Sequence, residues 1–167
     1  MEWYVLRTIS GKEETALTIL HKLFSDVKLI CPKRRISWRK QGSIISIVRP
    51  LFEGYLFVAS PAERLEEFYN LLRMYKLNIA WPVYSAGALV PIYTEEQLLI
   101  QKLIGNGGIV EVSTLKKQNE QLQVVNGPLL GLDHIIKKVS PKNRRIMVEV
   151  TVLDEKKKIE LEGVFVT

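Results

Sequence analysis

The sequence predicts an α+β fold in two unlike modules, an α/β sandwich followed by a small all-β barrel. Three observations predict it. The first 84 residues carry strand and helix signals in the order β-α-β-β-α-β. The last third changes to short strands separated by Gly-Pro, Pro-Lys-Asn and Asp-Glu-Lys turns. Between them, EVSTLKKQNEQ at 111–121 is polar, has little apolar periodicity and reads as a tether.

Element by element, Trp3 to Thr8 alternates as a short strand, and Ser10-Gly-Lys-Glu13 has capping-box spacing. The helix it opens carries an apolar stripe of Ala16, Ile19, Leu20, Leu23 and Phe24. Val27 to Ile30 is a strand, and Pro32-Lys-Arg-Arg35, Trp38-Arg39-Lys40, a Gln41-Gly42 turn and Ser43 to Val48 make a long basic β-hairpin. Gly54 to Ala59 is a central strand by its aromatic and aliphatic content. Ser60-Pro61-Ala-Glu63 starts a second helix with stripe Leu65, Phe68, Tyr69 and Leu72. Asn78 to Tyr84 is one more strand. Thr94-Glu-Glu-Gln97 caps a third helix, which Gly105-Asn-Gly-Gly108 ends. This is the split βαβ, or ferredoxin-like, order, with two helices on one sheet face and the other face left as an apolar patch for a partner. Beyond the tether, Gln123–Asn126, Ile135–Val139, Arg145–Leu153 and Ile159–Leu161 read as strands of a small barrel. The alternation of Ile146, Val148, Val150 and Val152 is the clearest of them and favours a module that stays β.

The length of 167 residues allows one ordinary core or two small ones. No run reaches the roughly 18 to 20 apolar residues of a membrane span, and MEWYVLRTIS lacks a basic segment ahead of an apolar one. A cytoplasmic protein without a membrane is expected, and the single Cys31 fits a reducing compartment as a small buried apolar residue. The formal charge of +6, from 24 Lys and Arg against 18 Asp and Glu, leans toward anionic partners.

Enzyme chemistry finds little footing. His21, His134 and one cysteine make none of the usual metal-ligand spacings, so no metal or other cofactor is expected. There is no Walker-type loop and no G-x-S-x-G elbow. Asp133 and His134, read as adjacent strand residues, would point to opposite faces and could not form an orienting pair. Acidic pairs such as Glu13-Glu14 and Glu95-Glu96 lie at helix starts, where they complement the dipole.

WYVLRTISGKE with PLFEGYLFV, and then QVVNGPLLGLDHIIKKV with RRIMVEVTVL, together resemble the NusG family of transcription elongation factors: an amino-terminal NusG domain at 1–110, a linker at 111–121 and a KOW domain, an SH3-like barrel, at 122–167. The resemblance implies a monomer that binds the clamp helices of RNA polymerase, with Trp3, Tyr4, Phe52 and Tyr55 at the family's aromatic positions. Large aromatics are common hot spots, yet each of these is as readily plain core. Glu53 stands where the family usually has proline, and Asp133-His134 stands where KOW motifs usually carry a second glycine.

PLFEGYLFV after a basic hairpin is similar to the specialised paralogues, LoaP-like antiterminators first and RfaH-like ones second, which act on selected operons. The RfaH-type DNA reader is not reproduced at Ile9, Ser10, Thr15 and Ile19, which favours RNA as the recruiting element. His134, Lys137, Lys138, Lys142, Asn143, Arg144, Arg145, Lys156, Lys157 and Lys158 are the candidate contacts to a leader RNA hairpin. Lys33, Arg34, Arg35, Arg39 and Lys40 are candidates for non-template DNA, or a charged hairpin that protects a sheet edge. Ribosomal protein S-ten or Rho is a further partner the resemblance allows. The alternatives are a general NusG-type factor and a ribosome-associated KOW adaptor.

Overall fold

A computed structural model describes all 167 residues. In chain order the elements are β1 (Trp3–Thr8), α1 (Glu13–Leu23), β2 (Lys28–Ile30), β3 (Lys33–Lys40), β4 (Ser43–Pro50), β5 (Tyr55–Ala59), α2 (Ala62–Met74), β6 (Ala80–Pro82), α3 (Thr94–Ile104), β7 (Ile109–Val110), β8 (Ser113–Gln118), β9 (Gln121–Asn126), β10 (Ile136–Ser140), β11 (Arg145–Val152) and β12 (Glu155–Val166). They fall into two compact units, one of Met1–Cys31 with Phe52–Gln97, the other of Pro32–Leu51 with Leu98–Thr167. No helix is long and apolar enough to cross a membrane.

In the first unit the strands form an antiparallel sheet in the order β2-β5-β1-β6, joined by α1 and α2. Register places Tyr4 opposite Val58 and Leu6 opposite Leu56 on one face. There they pack with Ala16, Leu20 and Phe24 of the α1 segment and Leu65, Phe68, Tyr69 and Leu72 of α2. The α2 stripe is the one its spacing predicts. The α1 stripe differs at Leu23, which is 46% exposed although the helical repeat sets it in line with Ala16, and it is the last residue of the helix.

The start of α1 departs from a capping box. Ser10 makes no cap, and the work falls to Glu13, whose buried carboxylate accepts the Gly11 N–H at 3.0 Å and the Gly54 N–H at 2.9 Å. Glu13 thereby ties the helix start to the turn before β5. In that turn the Tyr55 N–H donates to the Phe52 carbonyl at 3.2 Å, and Gly54 takes a φ of +76°. This is the type II arrangement, which accepts Glu53 at its second position as it would proline and favours glycine at its third. A Cβ on Gly54 would also lie 3.2 Å from the Thr8 carbonyl oxygen.

In the second unit, β3 and β4 form the expected hairpin, closed by Gln41 and Gly42 with φ of +51° and +80°. Positive φ at both turn positions is the type I′ geometry that matches strand twist. A five-stranded sheet runs β10-β11-β12-β8-β9. The expected tether is structure instead. Ser113–Gln118 is β8, antiparallel to β9 and parallel to the last residues of β12. Only Ser113 and Leu115 of β8 are buried, too few for a visible period. Gly127 is the mark this strand leaves elsewhere: at φ +101° its Cβ would sit 2.6 Å from Ser113 Cα. The last strand is also longer than expected, because Glu155–Lys158 pair with β11 despite their charge. Asp133 and His134 lie in a 3-10 turn rather than a strand, and the positive φ beside them falls on Gly131 at +80°. The missing second glycine therefore imposes no strain there.

Candidate nucleic-acid interface

The expected cations do not form one surface. β11 spans eight residues, about 25 Å at the antiparallel rise, and holds its two turns at opposite ends. Lys142, Asn143 and Arg144 are at one end, while Lys156–Lys158 follow the other, where Lys157 pairs with Glu155 at 3.0 Å and Lys158 faces Glu149. Lys137 and Lys138 lie exposed on the edge strand β10, and His134 is exposed in the 3-10 turn.

At the 141–144 turn the structure unites two groups that the sequence kept apart. A cleft of about 570 Å³ is lined by Ser37, Trp38, Arg39 and Ile44 of the β3–β4 hairpin and by Lys142, Asn143, Arg144, Arg145 and Glu160. Glu162 builds it. This carboxylate, 5% exposed, accepts the Ser37 N–H at 2.9 Å and the Ser37 hydroxyl, and pairs with Arg145 at 3.3 Å and Arg144 at 3.8 Å. Arg145 Nη2 also donates to the Ser37 carbonyl. Both backbone groups of Ser37 that point away from β4 are thus satisfied, and the edge of β3 is sealed against the β11–β12 pair.

The cations then divide by duty. Arg145 is a structural clamp, as is Arg34, whose guanidinium donates to the Glu160 carbonyl. Arg35 is held by Glu111 at 2.8 Å, which pushes its pKa up. Lys33 is half-buried at the base of β3. Arg39, Lys40 and Lys142 have no carboxylate partner, and Arg144 is 46% exposed at the long end of its pair with Glu162. Cations without local partners have their charge available to an anion in the cleft.

The aromatic set is elsewhere and is not an open patch. Trp3, Tyr4, Phe52 and Tyr55 are all below 8% exposed. Tyr4 belongs to the core under the helices. On the opposite face, Trp3 packs on Phe57 with centroids 5.5 Å apart and Phe52 lies 5.9 Å from Phe57 and 6.4 Å from Tyr55. The stretch 92–97 runs along the beginning of β1. Ile92 N–H donates to the Trp3 carbonyl at 2.9 Å, and the Gln97 side chain accepts the Trp3 N–H at 3.2 Å. The expectation of an uncovered face allowed only for the two helices on the other side. Arg7, stacked over the Tyr55 ring at 4.9 Å, is exposed on this face, and so is its register partner Trp81 in β6, at 43%.

The family model described as "Transcription termination factor nusG" matches residues 1–101, more than half of the chain. The chain belongs to the NusG family. It is 24% identical over 176 residues to the transcription termination/antitermination protein NusG of Thermus thermophilus, covering 97% of this chain and 95% of that protein. A solved structure titled "Domain interaction in Thermotoga maritima NusG" superposes with a TM-score of 0.54 at 21% identity, over 96% of this chain and 93% of that one, a likeness of fold. NusG-family proteins are non-enzymatic transcription factors that bind RNA polymerase.

Sequence reasoning on this NusG-family chain missed Ser37, Trp38, Ile44 and Glu162. Trp38 and Ile44 were read as ordinary strand residues, yet they are 51% and 58% exposed. Their signal in the sequence is an indole and a branched aliphatic residue on either side of a cationic turn. Glu162 gave none, since its role depends on a pairing 125 residues distant along the chain.

Proposed function

We propose that this protein is a specialised antitermination factor: an amino-terminal NusG domain of ferredoxin-like order docks on the clamp helices of RNA polymerase, and a KOW barrel of SH3-like form directs it to selected operons by holding a leader RNA hairpin. The observation that carries the reading is the cleft in which Arg39, Lys142 and Arg144 converge with Asn143, with two of the three cations free of carboxylates. Cations with a polar reader beside them suit a structured RNA. The barrel in this reading begins at Ser113 rather than after the polar stretch, since β8 is one of its strands.

On the polymerase side, Trp3, Phe52 and Tyr55 shape the docking surface from within, and Arg7 over Tyr55, with Trp81 opposite it in β6, is its open part. Phe52→Ala is then a poor probe of docking, because truncating a buried phenylalanine costs about 3–5 kcal/mol of stability. Recovery of the protein from its own cells, with assay for polymerase and sequencing of crosslinked RNA, tests the whole. Polymerase together with RNA from one or a few leaders is the expected result. Transcriptome-wide RNA would make it a general factor, and ribosomes without polymerase a KOW adaptor.

A further inference from the structure

The two long edges of the β3–β4 hairpin are finished differently. The outer edge of β3 is taken by β7 at Lys33 and Arg34 and by Glu162 and Arg145 at Ser37. β4, eight residues long, ends the order β4-β3-β7, and its outer edge pairs with no strand. About the Gln41-Gly42 turn, antiparallel alternation gives the amides of Ser43, Ile45 and Ile47 to β3 and turns those of Ile44, Ser46 and Val48 outward. The Leu51 N–H, which donates to the Pro32 carbonyl at 2.7 Å, keeps the same alternation. So does Ser37, the register partner of Ser46, whose outward amide and carbonyl are the ones Glu162 and Arg145 satisfy.

The side chains of β4 are as open as its backbone. Ser43 to Val48 carries no charge, and Ile44, Ile45 and Val48 are 58%, 41% and 40% exposed. Ile44 and Val48 lie on one face of the hairpin and Ile45 on the other, so the apolar surface wraps the free edge. A row of unpaired amides flanked by branched aliphatics on both faces is a template for one more strand. The charge beside it has one sign. Residues 32–51 hold Lys33, Arg34, Arg35, Arg39, Lys40 and Arg49 and no acidic residue. Lys40 lies opposite the small Ser43, and Arg49 is in β4 itself, its guanidinium 5.9 Å from the Trp38 ring.

We infer that β4 accepts an extended acidic segment of a partner protein as an added strand. The segment's backbone continues the sheet at Ile44, Ser46 and Val48, its apolar residues cover Ile44, Ile45 and Val48, and its carboxylates meet Lys40 and Arg49. Charge complementarity selects this occupant. A second copy of the chain would set one basic hairpin against another, and like charges across a strand pair destabilise it. A nucleic acid would meet the cations but has no peptide backbone to continue the ladder. The inference is independent of how the protein is recruited to a transcript.

The test uses the full chain and a synthetic peptide of about twelve residues that alternates glutamate with valine. In the free protein the amides of Ile44, Ser46 and Val48 should exchange with solvent faster than those of Ile45 and Ile47, and the peptide should slow these three at least tenfold. A peptide of equal charge with proline at every third residue lacks donors on both of its edges and should bind at least tenfold more weakly. Ser46→Pro, which removes an outward donor and leaves the β3 ladder intact, should lose peptide binding. Lys40→Gln combined with Arg49→Gln should weaken binding about fivefold. Equal binding of the proline peptide, or no protection of the three amides, would overturn the added strand. Protection that grows with protein concentration in the absence of peptide would overturn the acidic partner in favour of a second copy. Protection by a single-stranded oligonucleotide, with the peptide inert, would overturn it in favour of nucleic acid.

Discussion

Tyr69 and Glu162 show how differently two buried polar side chains can be treated in one chain. Tyr69 is 1% exposed in the core beneath α2, and its hydroxyl has no protein hydrogen-bond partner. Burial pushes the phenol well above its ordinary value of 10.0. In that interval the native state keeps a proton that the unfolded chain has lost, so stability falls as pH rises beyond about 10. Tyr69→Phe should be neutral or stabilising by up to about 1 kcal/mol at pH 7, and should flatten the alkaline fall. Urea midpoints at neutral and alkaline pH measure both. A loss of more than about 2 kcal/mol at neutral pH would mean that the hydroxyl is held by a bond. Glu162, in contrast, has every acceptor oxygen engaged, by Ser37, Arg144 and Arg145. At this scale the aromatic positions were identifiable in the sequence as large and buried, but their faces were not. Trp3 and Tyr4 are adjacent in β1 and so serve opposite sides of the sheet.

Among the elements, the β3–β4 hairpin depends most on partners far away in sequence. Glu162 and Arg145 bind Ser37 by its amide, hydroxyl and carbonyl, and breaking one partner of such a buried pair costs about 3–5 kcal/mol. Glu162→Ala is therefore expected to destabilise the protein by about 3 kcal/mol and to make the Ser37 amide exchange with solvent at least tenfold faster relative to the Leu6 amide of the β1 core. Unchanged protection at Ser37 would show that the clamp does not hold the hairpin. The elements themselves were legible where a face is fully buried: Leu65, Phe68, Tyr69 and Leu72 in α2 keep the helical period, and Ile146 to Val152 in β11 keep the two-residue period of a strand. They were illegible where burial is local. β8 buries two side chains, and the Glu155–Lys158 part of β12 is held by its ladder with β11 rather than by a buried stripe.

Across the whole molecule, chain order and structural units do not coincide. The hairpin at 32–51 lies within the amino-terminal sequence yet belongs to the same unit as the carboxy-terminal strands. That grouping is why the candidate site was only half readable. Lys142–Arg145 and Arg39–Lys40 stood out as basic clusters, but composition assigns clusters to neighbours in sequence, and it is the bonds of Ser37 to Glu162 and Arg145 that bring the two to one cleft. The proposed function is that of a NusG-family factor that joins polymerase to one class of transcript. Transcription by purified polymerase through a terminator, with the protein added, tests this most directly. Templates are compared that differ only in whether the candidate leader or a scrambled version of it precedes the terminator. Readthrough is expected to rise severalfold on the leader template and to stay at its basal level on the scrambled one. Equal readthrough on both would contradict it and leave a general elongation factor.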